Sequence, residues 1–274
     1  MQVAIIGRGK LGRALARAFR EANVDVSLLR GRGSRTEKRT LQNASLIWLA
    51  VPDPFIREVD ARIASHLNAS HAVVHTSGSW GKELLAMSAT AGAHTGVCHP
   101  LVSFGPRTAL RDATFVLDGD AFARREVQAC VAKLGAVLVA ARVHGPRYHA
   151  AAAILANGAT ALAAEAERWL VESGFPPKHA AHALGSLLAT VAQNISELGP
   201  RNALTGPISR GDARAVACHL GALTETERVI YTRIAPLILD LAREGGLAAS
   251  QADAVEAVLS AKPTKSRSTS SRRD

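Results

Sequence analysis

The stretch VAIIGRGKLG (3–12) decides the fold of this chain. Apolar residues run into a glycine-rich turn, and the turn opens a segment with helical spacing. In this context GxGxxG predicts a turn that binds the pyrophosphate of a dinucleotide, because the first residues of the helix offer free N–H groups to phosphates. Gly7 allows the tight turn, Gly9 lets the backbone approach the ligand, and Gly12 lets helix and strand pack closely. The alternative is a glycine-rich turn without a ligand. The predicted cofactor-binding residues of this turn are Gly7, Arg8, Gly9, Lys10, Leu11 and Gly12.

Short apolar segments alternate with helical segments over residues 1–146. This alternation predicts an α/β fold with a doubly wound parallel sheet. The predicted strands are 3–6, 24–29, 46–51, 73–75, 96–98, 114–117 and 137–140, and the predicted helices are 12–22, 55–67 and 127–134.

The pattern changes at the breaker sequence His144-Gly145-Pro146. From there the helical period dominates, which predicts a smaller, all-helical second domain over residues 147–261. The last residues, 262–274, hold five basic residues and one acidic residue and lack large apolar ones, so we expect a disordered basic tail. The predicted helices of the second domain are 148–173, 178–198, 213–220, 225–244 and 250–260.

Composition is that of a globular protein, with 47% hydrophobic and 20% charged residues in a chain of 274. No signal peptide and no apolar stretch of the roughly 18–20 residues that a membrane span needs is visible, so we expect a cytoplasmic protein. Cys98, Cys130 and Cys218 are far apart and form no CxxC pair, which disfavours a metal site. We expect all three to be buried or half-buried thiols.

The formal net charge of +10 has two interpretations. A basic surface is found in nucleic-acid-binding proteins, and it also suits an enzyme with a phosphorylated cofactor. Aromatic residues make up only 4% of the chain, so stacking platforms for single strands are scarce. We therefore favour the cofactor and expect no nucleic-acid partner.

The end of the second strand distinguishes the dinucleotides. An NAD enzyme places Asp or Glu there to bind the ribose 2′-hydroxyl, whereas this chain has Arg30 and Arg32, with Arg35 close behind. A guanidinium matches the oxygens of a 2′-phosphate. The predicted cofactor is NADP; the alternative is a solvated basic loop.

Four motifs resemble those of known proteins. LAVPD (49–53) is similar to the third-strand motif of a wide reductase superfamily, and three further motifs resemble those of a narrower family: VVHTSGS (73–79), CHPLVSF (98–104) and LTGPISRGD (204–212). The N-terminal half resembles the Rossmann domains of ketopantoate reductase, pyrroline-5-carboxylate reductase and the wider 6-phosphogluconate and β-hydroxyacid dehydrogenase superfamily. The chain up to about residue 261 more closely resembles Rossmann-like proteins with a C-terminal helical domain of unknown function. The resemblance implies that Val51, Pro52 and Asp53 pass the nicotinamide-side ribose, and that the protein forms a homodimer through its helical domain.

Polar residues follow the later strands of the predicted sheet, where open α/β sheets bind their ligands. We assign His75 and Ser77 to the cofactor and Ser79 and His99 to the substrate. The alternative is that they are turn residues and caps. A zinc site from His94, Cys98 and His99 is conceivable but lacks a fourth ligand, and we predict no metal.

His149 and Asn157 are the predicted catalytic residues. The related reductases have a lysine early in the corresponding helix, followed by asparagines one and two turns later. Aligned on that pattern, His149 takes the place of the lysine, Ala153 of the first asparagine and Asn157 of the second. The departure puts ketopantoate and β-hydroxyacid activity in doubt, although a histidine can donate a proton during hydride delivery. The alternative is a capping or half-buried histidine.

The LTGPISRGD segment supplies the remaining predicted substrate contacts, Thr205, Ser209 and Arg210, which could bind a carboxylate or phosphate. The alternative is a helix–helix connector in which Asp212 caps the next helix.

These features together predict an NADP(H)-dependent oxidoreductase whose small polar carbonyl, imine or hydroxy substrate binds between the two domains. The alternative is a non-catalytic NADPH-binding sensor or scaffold, which the missing lysine favours. A third hypothesis is nucleic-acid binding by the basic tail.

Overall fold

The computed structural model describes residues 1–32 and 37–261. Arg35 and the predicted tail 262–274 lie outside the described residues. Within the described ranges, no helix is both long and apolar enough to cross a membrane.

A seven-stranded sheet forms the centre of the N-terminal half, with the strand order β2-β1-β3-β4-β5-β6-β7. This arrangement confirms the predicted α/β fold. The strands are β1 Gln2–Ile6, β2 Asp25–Leu29, β3 Leu46–Leu49, β4 Ala72–His75, β5 His94–Pro100, β6 Thr114–Gly119 and β7 Val137–Ala140.

One strand pair departs from the parallel prediction, because β6 runs antiparallel to β5. The connection between them, residues 101–113, contains no helix. A parallel return needs a crossover of a dozen or more residues, usually helical, so this connection lets the chain turn back on itself. The other neighbouring pairs are parallel.

In the described part of this half, five α-helices accompany the sheet: α1 Lys10–Glu21, α2 Glu37–Asn43, α3 Ile56–Ala64, α4 Ala86–Thr90 and α5 Ala121–Lys133. The short helices α2 and α4 are absent from the sequence prediction, because their few residues give too little periodicity. Successive residues of β1 enter opposite cores, Val3 and Ile5 on one side and Ala4 and Ile6 on the other. The first core centres on Trp48, whose ring lies between those of Phe19 and Phe115.

The C-terminal half is helical, as predicted, with α6 Pro146–Glu172, α7 Pro177–Ala203, α8 Ala213–Ala222, α9 Glu225–Glu244 and α10 Ala249–Ser260. By its internal contacts the chain divides into two units, Met1–Leu162 and Ala163–Asp274. The predicted boundary at 146 coincides with the start of α6, and the domain bounds remain predictions. The second unit has its own core of buried side chains: Ile208, Val216, Leu220, Ala235, Leu239, Ala252 and Val255.

The cysteines are free thiols, and one of them contradicts the sequence prediction. Cys98 and Cys130 are buried, and burial raises the pKa of the Cys130 thiol to about 12. Cys218 is exposed, so the expectation of a buried or half-buried thiol is wrong there. It lies on α8, whose buried face is instead formed by Val216 and Leu220.

Candidate active site

The turn between β1 and α1 is closed by two glycines that touch other backbone. A Cβ on Gly7, whose φ is +125°, would lie 2.1 Å from the Ala50 carbonyl oxygen at the end of β3. A Cβ on Gly12 would lie 2.0 Å from the carbonyl oxygen of Gly7. Neither position accepts a side chain, so the glycines draw turn, helix and strand together.

Gly9 differs, because a Cβ there would meet no protein atom within 4 Å. Gly9 is the N-cap of α1, no side chain caps the helix, and its first turn contains no acidic residue. The helix N-terminus therefore offers uncapped N–H groups and uncompensated positive potential beside open space. This arrangement suits a phosphate group.

Basic residues gather at the carboxyl end of β2. The guanidinium of Arg8 donates from Nη2 to the carbonyl oxygen of Leu28 at 3.2 Å. Arg30 and Arg32 follow the strand and are exposed to solvent. This end of β2 is therefore positively charged and open to an anion.

An ion pair that the sequence did not predict lies beside this strand end. Arg62 of α3 donates from Nη2 to Oε1 of Glu37 at 2.9 Å, and from Nη1 to the carbonyl oxygen of Gly31. Nothing in the local sequence indicates this pair, because its partners lie on two different helices.

Hydrogen bonds join the loops after β3 and β4. Ser77 is buried and donates from Oγ to Oδ2 of Asp53 at 2.9 Å, while the same Oγ accepts from the backbone N–H of Ser79 at 3.1 Å. Asp53 begins a short turn of 3₁₀ helix, Asp53–Phe55, which follows Val51 and Pro52. Asp53 and Ser77, which were predicted to bind the cofactor, and Ser79, which was predicted to bind the substrate, thus belong to one network.

His75 anchors its own loop. The side chain is fully buried, its Nδ1 accepts from the backbone N–H of Ser77 at 3.2 Å, and its Nε2 lies 2.8 Å from the carbonyl oxygen of Gly81. The proton must be on Nε2 to satisfy both bonds. Burial lowers the pKa of His75, so the ring is neutral and both nitrogens are engaged by the loop.

His99 and Tyr148 bring β5 and the start of α6 together. Nδ1 of His99 lies 2.9 Å from the hydroxyl of Tyr148. Burial, together with the neighbouring His149 and His144, lowers the pKa of His99 to about 4. His99 is therefore neutral near pH 7, and a phenol that donates to Nδ1 leaves the proton of the ring on Nε2.

His149 and His99 converge over Gly78. A Cβ on Gly78 would lie 2.8 Å from Nδ1 of His149 and 3.0 Å from Nε2 of His99. The two rings are 5.8 Å apart, edge to face. A glycine is needed in the β4 loop because any side chain would displace both imidazoles. His149 is exposed, so one imidazole of the pair faces solvent while the other, His99, is half-buried.

His144 and Tyr148 complete this cluster and were not among the predicted site residues. The His144 ring lies 5.5 Å from that of Tyr148, and its Nε2 is 3.2 Å from the carbonyl oxygen of Val116. The sequence offered a signal, since His144, Tyr148 and His149 all fall near the start of one helix.

The other predicted residues lie elsewhere. Asn157 is exposed on α6, two turns beyond His149. Thr205, Ser209 and Arg210 belong to the second unit, where Ser209 donates from Oγ to the carbonyl oxygen of Gly206 at 2.8 Å. In the same loop Asp212 accepts from the N–H of Ala215 at 2.9 Å, so the alternative capping role of this residue is confirmed.

Among residues 1–32 and 37–261, no group of three or more His, Cys, Asp or Glu side chains is placed to hold an ion. Of the residues weighed for zinc, Cys98 is buried in the core, and His94 pairs with Asp120 at 3.3 Å.

Comparison with known protein families assigns a domain family to each half of the chain. Residues 1–100 match the Rossmann-like domain, and residues 113–238 match a domain of unknown function, DUF2520. The chain belongs to the Rossmann-like proteins with a DUF2520 domain. The family expected from VVHTSGS, CHPLVSF and LTGPISRGD is thereby confirmed. No curated protein matches this DUF2520 protein.

Several solved structures share the fold. A protein of Bacteroides fragilis with a provisional NADP oxidoreductase assignment is 20% identical, with a TM-score of 0.63 over 89% of this chain and 96% of the other. A Thermotoga maritima protein is 23% identical, with a TM-score of 0.62 over 88% and 98%. Pyrroline carboxylate reductase of Plasmodium falciparum, solved with NADP, is 12% identical, with a TM-score of 0.58 over 93% and 98%. At these identities the likeness establishes the fold.

We predict that His99 titrates near pH 4, well below the usual value of about 6.5. Because the unfolded chain takes up this proton first, the contribution of His99 to folding stability is present above about pH 6.5 and falls as the pH drops towards 4. In His149→Ala the pKa of His99 should rise, since burial is relieved and a repelling charge is lost. NMR titration of the imidazole signals measures both values, with His66→Ala as the control. A wild-type His99 that titrates near 6.5 would contradict the geometry.

Proposed function

We propose that this DUF2520 protein is an NADP(H)-dependent oxidoreductase that transfers hydride to or from a small polar carbonyl, imine or hydroxy substrate. One observation carries the proposal. The open, uncapped turn at Gly9 and the imidazole pair over Gly78 follow strands of the same parallel group, β1 and β4. Ligands of open α/β sheets bind beyond the carboxyl ends of such strands.

The cofactor would lie along this edge. The turn Gly7–Gly12 would hold the pyrophosphate, Arg30 and Arg32 the 2′-phosphate, and Val51–Asp53 the ribose next to the nicotinamide. His75 and Ser77 would support the nicotinamide end through the loop that they order. When bound, the nicotinamide supplies or accepts the hydride.

The protein would supply the proton and the orientation. Reduction of a carbonyl or imine leaves negative charge or a basic pair on the heteroatom, which a general acid can protonate. His149 is the proposed acid, because its exposed ring can exchange protons with solvent. Neutral His99 would donate a hydrogen bond from Nε2, which Tyr148 orients through Nδ1. Asn157 is the second proposed catalytic residue, and Ser79 is a proposed further contact to the substrate. The assignment of Thr205, Ser209 and Arg210 to the substrate stays a prediction.

We also propose a homodimer formed through α7. Ala180 is the only buried residue of this long helix. Leu187, Val191 and Leu198 are exposed by 58%, 43% and 53%, and they recur at helical spacing along one side. Residues 184–195 carry no charge, so an identical helix would meet no like-charge repulsion. A second copy presents a self-complementary apolar face, as a two-fold interface requires.

The free thiols suit the cytoplasm, where we propose that the protein acts.

NADPH should bind more tightly than NADH. Hydrogen bonds from a guanidinium to a phosphate contribute about 1.5–3 kcal/mol, or roughly ten- to a hundredfold in affinity. Calorimetric titration of both cofactors measures this preference. Gly9→Val should abolish binding of NADPH while the protein stays folded, because its side chain fills the open space above the turn. Equal affinities for the two cofactors would contradict the assignment.

The His149→Ala variant should keep its affinity for NADPH and lose about 10²–10⁴-fold in turnover, the range typical of a general acid. His149→Gln should be as slow, since an amide can accept and donate hydrogen bonds but cannot transfer a proton. Turnover is measured by NADPH absorbance against a panel of keto acids and cyclic imines, with His66→Ala as the control. Near-wild-type turnover in His149→Ala would make the residue structural. NADPH binding without turnover of any substrate would favour the sensor alternative.

The dimer is tested by sedimentation velocity. Wild-type protein should sediment at twice the mass of one chain, and Val191→Asp should shift it to the monomer, because a buried unpaired charge is costly. Ala189→Asp places the same charge on the opposite, exposed side of the helix and serves as the control. A wild-type monomer would contradict the proposal.

A further inference from the structure

A carboxylate lies close to the end of β2, although the sequence shows none in the strand end itself. Glu37 begins α2, and only 11% of its side chain is exposed. Its Oε1 is bound by the same guanidinium that binds the carbonyl oxygen of Gly31. One guanidinium group therefore bridges this carboxylate and the loop that carries Arg30 and Arg32.

Arg62 comes from α3 and contacts this loop at the carbonyl oxygen of Gly31. Its side chain is 28% exposed and donates through both terminal nitrogens, one to Glu37 and one to Gly31. The loop also lies against Val51, the second residue after β3, since a Cβ on Gly31 would be 3.4 Å from a methyl group of Val51. The pair is thus held between the elements that form the proposed adenosine end of the cofactor site.

An uncovered carboxylate at this end of a Rossmann sheet favours NADH. Asp or Glu there accepts a hydrogen bond from the ribose 2′-hydroxyl, and the same negative charge repels a 2′-phosphate. In this structure the guanidinium of Arg62 neutralises Glu37 and occupies one of its oxygens.

We propose that Arg62 sets the selectivity for NADPH over NADH by covering Glu37. The inference rests on the proposed cofactor. Arg62 is a positioning residue: it cancels the charge that would repel the 2′-phosphate and fixes the Gly31 carbonyl between the two arginines that bind it. On this proposal the chain contains a carboxylate like the one that binds the ribose in NAD enzymes, and the ion pair with Arg62 keeps it from the cofactor.

The experiment compares the dissociation constants of NADPH and NADH by calorimetry. Arg62→Met keeps the length of the side chain and uncovers Glu37. The ratio of NADPH to NADH affinity should fall by roughly tenfold or more, because charges a few ångströms apart interact appreciably at the effective dielectric of a protein surface. Arg62→Lys should keep most of the wild-type ratio. Arg57→Met removes a charge from an exposed position on the same helix and should leave the ratio unchanged.

The double variant Arg62→Met/Glu37→Gln separates charge from loop geometry. Without the carboxylate, the ratio should recover towards the wild-type value. Arg62→Met alone could fail to fold, because removing one partner of an ion pair leaves the other charge unpaired. In that case the ratio of NADPH to NADH affinity in Glu37→Gln tests the inference. This variant frees the guanidinium for the 2′-phosphate, so the ratio should rise.

The outcomes distinguish this inference from the proposed function. A wild-type protein that prefers NADPH, together with an unchanged ratio in Arg62→Met or no recovery in the double variant, would overturn the inference alone. An unchanged ratio in Glu37→Gln would do the same. Wild-type protein that binds neither cofactor would overturn the proposed function, and the role of Arg62 with it.

Discussion

The approach of the Gly7–Gly12 turn to the end of β3 is the constraint on which the rest of the N-terminal unit depends. Gly7 sits against the carbonyl of Ala50, and Gly12 against the carbonyl of Gly7, so turn, helix and sheet meet without intervening side chains. This close packing fixes the start of α1 at the carboxyl edge of the sheet. Because Gly9 has no protein neighbour in the same turn, the constraint also leaves one open surface of N–H groups.

A second layer of hydrogen bonds orders the loops beyond that edge. His75 holds the β4 loop from inside, and Ser77 ties it to Asp53 in the neighbouring loop. With this loop fixed, Gly78 leaves just enough room for His99 and His149 to meet. The two histidines therefore have different roles. Buried His75, with both nitrogens hydrogen-bonded, supports the loop, while exposed His149 remains available for proton exchange.

The helical unit follows a different principle. Its core is formed by α8, α9, α10 and the loop residue Ile208, whereas α7 buries almost nothing of its own. Two residues of the LTGPISRGD loop have structural roles, because Ile208 packs in the core and Asp212 caps α8. A loop rich in glycine, proline and polar residues is therefore weak evidence of function, because burial and helix capping account for several of these residues.

The sequence by itself determined the Rossmann turn, the strand alternation and the change to helices, because these depend on residues adjacent in the chain. It also placed His99 among the candidates, since His99 follows a predicted strand, and the resemblance to the reductases added His149. Only the tertiary structure decided that His99 is neutral, that His75 is an anchor, and that Glu37 is covered by Arg62. The reason is that these properties arise from burial and from partners on other elements. Long-range pairs such as Arg62 and Glu37, or Gly78 with two imidazoles, leave no periodicity or spacing in the chain that could reveal them.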